Sequence, residues 1–314
     1  MEPKISISLG RLKLKNPVMI ASGTFGYARE FSDFFDLKKL GAIVTKTITL
    51  RARQGNLPPR TCETPAGMLN SVGLENPGID AFIREKLPLL AKTGVPIIVS
   101  IASEAGWQEF VELARRLDKI KAVAALELNI SCPNISRRSI VDSPQATKLL
   151  ISQDSKATYD LVKTVRKATR KTLITKLSPN VTDIAEIAVA AEAAGSDAVS
   201  LINTLTGMSI DAQSRRSKVA AGIAGLSGPA VRPIAVRMVW EAYQKIKIPI
   251  IGMGGIIDDL SALEFLIAGA TAVSVGTANF VYPRVTIEII EGVRKYLRRN
   301  RIKDIKYLSG SLNL

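Results

Sequence analysis

Apolar and polar residues alternate with period two over residues 5–9 and 12–15, on either side of Gly10-Arg11, which predicts an N-terminal β-hairpin. Beyond it, short apolar runs alternate with amphipathic stretches of helical period. The runs occupy residues 17–21, 42–46, 96–101, 124–130, 172–177, 197–202, 248–252 and 271–276. Helical patterns follow near 30–39, 79–93, 106–119, 155–169, 183–194, 229–245, 258–268 and 282–299. Eight strands, each followed by a helix, predict an α/β fold of the (β/α)₈ barrel type. The surplus length falls in the hairpin, an insertion at 47–78 and a long loop at 133–155. A doubly wound open sheet is the rival arrangement, but no dinucleotide fingerprint follows the first strand. With no internal repeat, low-complexity tract or linker, residues 1–314 read as a single domain.

Composition narrows the chemistry sharply. The chain contains no His, so a Ser-His-Asp triad, a His-ligated zinc and a His general base are all excluded. Two cysteines, Cys62 and Cys132, cannot hold an iron–sulfur cluster unaided. Proton transfer must rest on Cys, Lys, Tyr, Asp or Glu, or on a cofactor, and no metal site is expected. The net charge of +15 invites a nucleic-acid reading. The densest runs, however (Lys163 to Lys171, and Arg294 to Lys306), lie on helical patterns without an aromatic platform, and a solvated helix face explains them. The opening Met1-Glu2-Pro3-Lys4 has no apolar signal core and no run is long enough to span a membrane, so a cytoplasmic protein is expected.

In such barrels the chemistry gathers on loops at the C-terminal ends of the strands. Those ends here carry Ser22-Gly23-Thr24, Lys46-Thr47, Ser100, Asn129 to Asn134, Lys176, Asn203-Thr204, Gly254-Gly255 and Gly276-Thr277. The glycines of the last two strands precede helical patterns, where exposed backbone N–H groups favour an anion; a phosphorylated cofactor is the expected ligand. Lys46 and Lys176 each close an apolar strand, placing a cation where an anionic ligand or electron-rich ring can meet it. A lysine snorkelling at the rim is the alternative. Cys132, between Ser131 and Pro133-Asn134, stands in a polar setting suited to a base or nucleophile. Cys62 has no such setting and reads as structural or incidental.

Several long motifs, in order, resemble the class 1 dihydroorotate dehydrogenases. They are Lys46-Thr47-Ile48-Thr49-Leu50, Gly55-Asn56 with Pro58-Pro59-Arg60, Asn70 to Gly78, Asn129-Ile130-Ser131-Cys132-Pro133-Asn134, Lys176-Leu177-Ser178-Pro179-Asn180, Asn203-Thr204 and Gly225-Leu226-Ser227-Gly228-Pro229, and the similarity runs from about residue 5 to 297. The resemblance is closest to class 1B, the NAD-linked catalytic subunit. It implies a barrel that binds one FMN and oxidises (S)-dihydroorotate to orotate in pyrimidine biosynthesis. FMN would meet Ser22, Lys46, Thr47, Ser100, Asn129, Lys176, Ile202, Gly228, Gly254, Gly255, Gly276 and Thr277. Substrate would meet Lys46, Asn70, Ser71, Val72, Gly73, Leu74, Asn129, Asn203 and Thr204, with Cys132 as the base. The class also implies a homodimer core in a heterotetramer, whose separate subunit carries FAD and a 2Fe-2S cluster; neither nucleic acid nor membrane is an expected partner.

The sequence departs from the family in two places. Ser100 stands where the family usually has Asn, and the loop after Cys132 is longer, lacks a glycine-rich run and carries Arg137 and Arg138. Similar strand-end motifs occur in tRNA-dihydrouridine synthases and dihydropyrimidine dehydrogenases, and a non-catalytic phosphate-binding barrel is the reading from outside enzymology. The synthases add a C-terminal helical domain, for which about 20 residues remain.

Overall fold

The computed structural model describes residues 2–131 and 151–313. In chain order the strands are β1 (Ile7–Leu9), β2 (Leu12–Leu14), β3 (Val18–Ile20), β4 (Ala42–Val44), β5 (Thr61–Thr64), β6 (Gly67–Asn70), β7 (Ile97–Ile101), β8 (Val123–Asn129), β9 (Thr172–Lys176), β10 (Ala198–Leu201), β11 (Leu205–Gly207), β12 (Ile210–Asp211), β13 (Arg216–Ser217), β14 (Ala224–Ser227), β15 (Ile250–Gly252) and β16 (Ala272–Val275). The helices are α1 (Gly78–Ala81), α2 (Leu87–Ala91), α3 (Trp107–Asp118), α4 (Ser155–Arg166), α5 (Ile184–Ala193), α6 (Arg232–Tyr243), α7 (Asp259–Ala268), α8 (Ala278–Val281) and α9 (Val285–Arg299). A π-helical turn, Phe82–Lys86, joins α1 to α2.

Eight parallel strands close in the order β10-β15-β16-β3-β4-β7-β8-β9, and helices surround them. All eight coincide with the apolar runs of the sequence. Their near-continuous burial reflects a strand covered on both faces, by helices outside and by its neighbours within. The helices present apolar stripes inward: Val285, Ile289, Val293 and Leu297 of α9 repeat every fourth residue and are all buried. Side-chain caps fix the starts of α4, α5 and α7. Asp154 accepts from Ala157 N at 2.7 Å, and Asp183 from Ala185 N at 2.8 Å. At α7, Asp258 accepts from Ser261 N (2.8 Å) while Ser261 Oγ accepts from Asp258 N (3.0 Å).

One expected helix is corrected. Residues 30–39 form two separate 3₁₀ turns, Arg29–Phe31 and Leu37–Lys39. Phe25 stacks on Phe31 at 3.8 Å between ring centroids and meets Phe35 at 6.1 Å, and Asp36 starts a new turn by accepting from Lys38 N at 3.0 Å. Aromatic packing and a competing cap override the helical period.

The hairpin β1–β2 forms in the expected register, Ile7 opposite Leu14 and Leu9 opposite Leu12. Leu9 and Leu14 close the N-terminal end of the barrel interior, packing with Met19, Ala42, Val44, Ile98, Ala125, Ile174, Ala198 and Ile251. At the other end, the 47–78 insertion and the segment after β10 join in a four-stranded antiparallel sheet, β11-β14-β6-β5. That sheet sets Asn70 opposite Gly225, 155 residues away in the chain. Among the described residues no helix is long and apolar enough to cross a membrane.

Candidate active site

Side chains that point into the barrel come from alternate positions on each strand. Moving from Ala125 to Glu127 to Asn129 in β8, or from Ile174 to Lys176 in β9, the interior changes from apolar to polar within one or two positions. The upper layer contains Ser100, Glu127, Asn129, Lys176, Ser200 and Ser274, all buried.

Thr47 is the hub of one side of this layer. Its hydroxyl shares hydrogen bonds with Ser22 Oγ (3.2 Å) and Ser100 Oγ (3.0 Å), and accepts from Asn129 Nδ2 (3.0 Å). Ser22 Oγ also donates to the Thr45 carbonyl at 2.8 Å. Asn203 Nδ2 donates to Ser131 Oγ (2.8 Å), to the Ser131 carbonyl (3.2 Å) and to Asn129 Oδ1 (3.4 Å), while Asn203 Oδ1 accepts from Thr204 N. Ser22, Thr47, Ser100, Asn129 and Asn203 therefore form one connected network across strand ends β3, β4, β7, β8 and β10. Ser100, the departure from the family pattern, is fully part of it.

Two lysines flank the network. Lys176 is 5% exposed, and its ammonium has no hydrogen-bond or ion-pair partner among the described residues. Burying a cation without compensation is costly, so this position fits a protein that takes up an electron-rich or anionic group. Lys46 is half-buried at the end of β4.

The other side of the strand ends is made of glycines and hydroxyls. Gly228, Gly254 and Gly255 have φ of 94°, 125° and 79°, the left-handed region that glycine enters without strain. A Cβ on Gly255 would lie 2.8 Å from the Gly228 carbonyl, and one on Gly254 would lie 3.2 Å from Ile202 Cγ1, so these turns pack directly on one another. Thr277 Oγ1 donates to Ser227 Oγ at 2.8 Å, tying the end of β16 to the same group. Gly276 differs. A Cβ there would meet Ala21 and Thr24 at 3.6 and 3.7 Å, which is ordinary contact, so the fold itself leaves room for a side chain. Such a position suits close approach by a ligand. The orphaned Lys176, the open face at Gly276 and the clustered glycine turns together fit a flavin phosphate and ring.

The segment from Asn70 to Leu74 is braced from outside. Asn56 Nδ2 donates to the carbonyl (3.0 Å) and hydroxyl (2.8 Å) of Ser71, Asn56 N donates to the Val72 carbonyl (3.0 Å), and Arg53 Nε donates to that of Gly73 (3.0 Å). Asn76 ties the loop's far end to Thr49 and Gly78, with its Oδ1 accepting from both amides at 3.2 and 2.9 Å. On the roof sheet, Gly225 is glycine for a steric reason: a Cβ would fall 2.1 Å from Thr204 Oγ1.

Cys132 and the loop carrying Arg137 and Arg138 lie outside the described residues. Cys62 is half-buried in β5, with its thiol directed to the Glu63 carbonyl. Tyr27 is a further titratable group at this end of the barrel. Burial first, and then the charges of Glu30 and Glu75, push its phenol up to about 12, so it is neutral at physiological pH. Three residues of the layer are not marked by the sequence. Glu127 lies inside an apolar run, where only the period-two alternation shows it as inward-facing, and Ser200 and Ser274 sit likewise within β10 and β16.

A parallel eight-stranded barrel with a polar, cation-bearing layer at its C-terminal end defines a cofactor-binding barrel enzyme. The dihydroorotate dehydrogenase family profile matches residues 5–297. A protein of Geotalea uraniireducens named dihydroorotate dehydrogenase B (NAD(+)), catalytic subunit, is 52% identical over 311 residues, covering 99% of both chains. Proteins of the same name from Trichlorobacter lovleyi and Thermoanaerobacter pseudethanolicus are 52% and 51% identical over 312 and 310 residues, again with 99% of each chain covered. The chain belongs to the dihydroorotate dehydrogenase family.

Proposed function

We propose that this chain, as one catalytic domain, oxidises (S)-dihydroorotate to orotate in pyrimidine biosynthesis. The observation that carries the reading is the buried, unpartnered Lys176 beside the network of Ser22, Thr47, Ser100, Asn129 and Asn203. Full-length similarity to dihydroorotate dehydrogenase B catalytic subunits supports the substrate. In this reading FMN is held by Ser22, Lys46, Thr47, Ser100, Asn129, Lys176, Ile202, Gly228, Gly254, Gly255, Gly276 and Thr277. Bound there, it supplies the hydride acceptor for C6 of the dihydropyrimidine ring.

The chain's own residues do the rest. Cys132 removes the C5 proton, a role for which a His-free site needs another base. Lys46 neutralises the substrate carboxylate. Asn70, Asn129 and Asn203 pair with ring amides and carbonyls, and Thr204 and the braced segment Asn70 to Leu74 fix the ring's orientation. Lys176 presents its charge to the electron-rich edge of the flavin.

The relatives are named NAD-linked catalytic subunits, and the chain's two cysteines cannot ligate a cluster. Electrons therefore leave through a separate subunit bearing FAD and a 2Fe-2S centre, in a cytoplasmic heterotetramer around a homodimer of this chain. The test is anaerobic mixing of the flavin-loaded protein with (S)-dihydroorotate, following absorbance at about 450 nm, the flavin band. Rapid bleaching in wild type, and its loss in Cys132→Ala across several pH values, is the expected result. Intact flavin that fails to bleach with this substrate would exclude the assignment.

A further inference from the structure

The mechanism above leaves one buried ionisable group without a task. Glu127 is 1% exposed, and β8's alternation turns it into the barrel with Ala125 and Asn129. Its Oε2 accepts from Ser200 Oγ at 3.0 Å, whereas its Oε1 has no partner. β8 and β10 both flank β9, so the Glu127–Ser200 bond crosses β9 on its inner side. In register, Asn129 and Ser200 are the two neighbours of Lys176, and Glu127 is paired one step lower, with Ile174. The bond therefore crosses β9 between the levels of Ile174 and Lys176. Ser274 Oγ, which faces the same interior, is also unpartnered.

Two buried groups of opposite charge thus occupy neighbouring positions without touching. Each alone would be costly in this setting. Together they compensate, and because Ser200 anchors Glu127 below, the ammonium is left free to face a ligand above. Charge near a flavin tunes its electronics, and a negative charge beneath it opposes uptake of electrons.

We propose that Glu127, anchored by Ser200, is a positioning residue: its carboxylate is the buried counter-charge of Lys176 and lowers the reduction potential of a flavin bound above the layer. The proposal rests on the flavin reading and deepens it. It makes Glu127 a setting of driving force, not a group that meets substrate.

The test is the two-electron midpoint potential of the FMN-loaded protein, measured against redox dyes, in wild type and Glu127→Gln. Gln keeps the shape and the bond from Ser200 but removes the charge. The expected result is a rise of at least about 30 mV, a tenfold shift of a two-electron equilibrium towards reduced flavin, with FMN affinity within a few-fold of wild type. In a Lys176→Gln background the same substitution should shift the potential by less, because the two charges are coupled. If Glu127→Gln does not fold, Glu127→Met, which removes the charge at similar volume, carries the test, with a rise in the same direction. A potential unchanged in the folded variant overturns the proposal. A wild-type protein that takes up no FMN overturns the functional reading and this proposal with it.

Discussion

The two ends of the barrel are built from the same strands and do opposite things. At the N-terminal end, Leu9 and Leu14 of the hairpin seal an interior of Met19, Val44, Ile98, Ile174 and Ile251, all within 3% exposure. At the C-terminal end, the same strands present Ser100, Glu127, Asn129, Lys176 and Ser200, with carboxylate and ammonium groups left partly unsatisfied. β9 shows the change most plainly, since Ile174 and Lys176 are adjacent inward positions. The lower layer supplies stability through close packing, and that rigidity holds the upper layer's polar groups apart when their mutual collapse would cost less.

Substitution along β9 should separate these two roles. Lys176→Gln is expected to lower kcat/KM at least 100-fold, about 2.7 kcal/mol of transition-state stabilisation. The melting temperature should fall, because Glu127 is left without its buried counter-charge. Steady-state kinetics beside calorimetry on one preparation would check it. Two residues lower, Ile174→Ala should cost about 2–5 kcal/mol of unfolding free energy through a core cavity. Turnover per folded molecule should change less than twofold. If the Ile174 variant lost activity without losing stability, the division between layers would fail.

A smaller effect sharpens the network itself. Asn203→Ala removes the donor to Ser131 and Asn129, about 1–1.5 kcal/mol of interaction. The Michaelis constant for dihydroorotate should rise about tenfold, a factor readable in initial-rate data.

The smallest expected effect belongs to the N-terminal end. Burial raises the Asp118 carboxyl, but hydrogen bonds from Thr169 Oγ1 (2.6 Å) and the amides of Arg170 and Lys171 (2.7 and 3.3 Å), together with the Lys171 charge, outweigh it; the group is held below the usual carboxylate range. A depressed folded value means that the unfolded chain binds the proton more readily. The contribution is therefore complete above about pH 4, the unfolded value, and disappears as pH falls through the folded value. Urea unfolding at pH 7 and pH 3 should show a smaller acid loss in Asp118→Asn than in wild type, with flavin chemistry at pH 7 untouched.

Much of this division was legible in the sequence. The eight strands could be read because each is a short apolar run bounded by turn residues. Their polar ends could be read because Lys46, Asn129, Lys176 and Asn203 interrupt apolar stretches abruptly. The four-stranded sheet could not be read: β11 and β14 are three and four residues long, each with a Gly, and the pairing of β14 with β6 spans more than 150 residues. No local period records such a partner. Glu127 is silent for the opposite reason: the run around it, Ala124-Ala125-Leu126-Glu127-Leu128-Asn129-Ile130, reads as a buried strand whether or not one position is acidic. The 30–39 segment misled because aromatic stacking around Phe25 outranks the helical period.

The central claim is that the cofactor lies against the polar end of the barrel, and Gly276 tests it most directly. The fold leaves room for a Cβ there, so Gly276→Ala should fold with an unchanged melting temperature. A titration of apoprotein with FMN, followed by quenching of flavin fluorescence, should show affinity at least tenfold weaker in this variant than in wild type, about 1.4 kcal/mol. Equal affinity in the two proteins would contradict the account and move the cofactor away from the ends of β15 and β16.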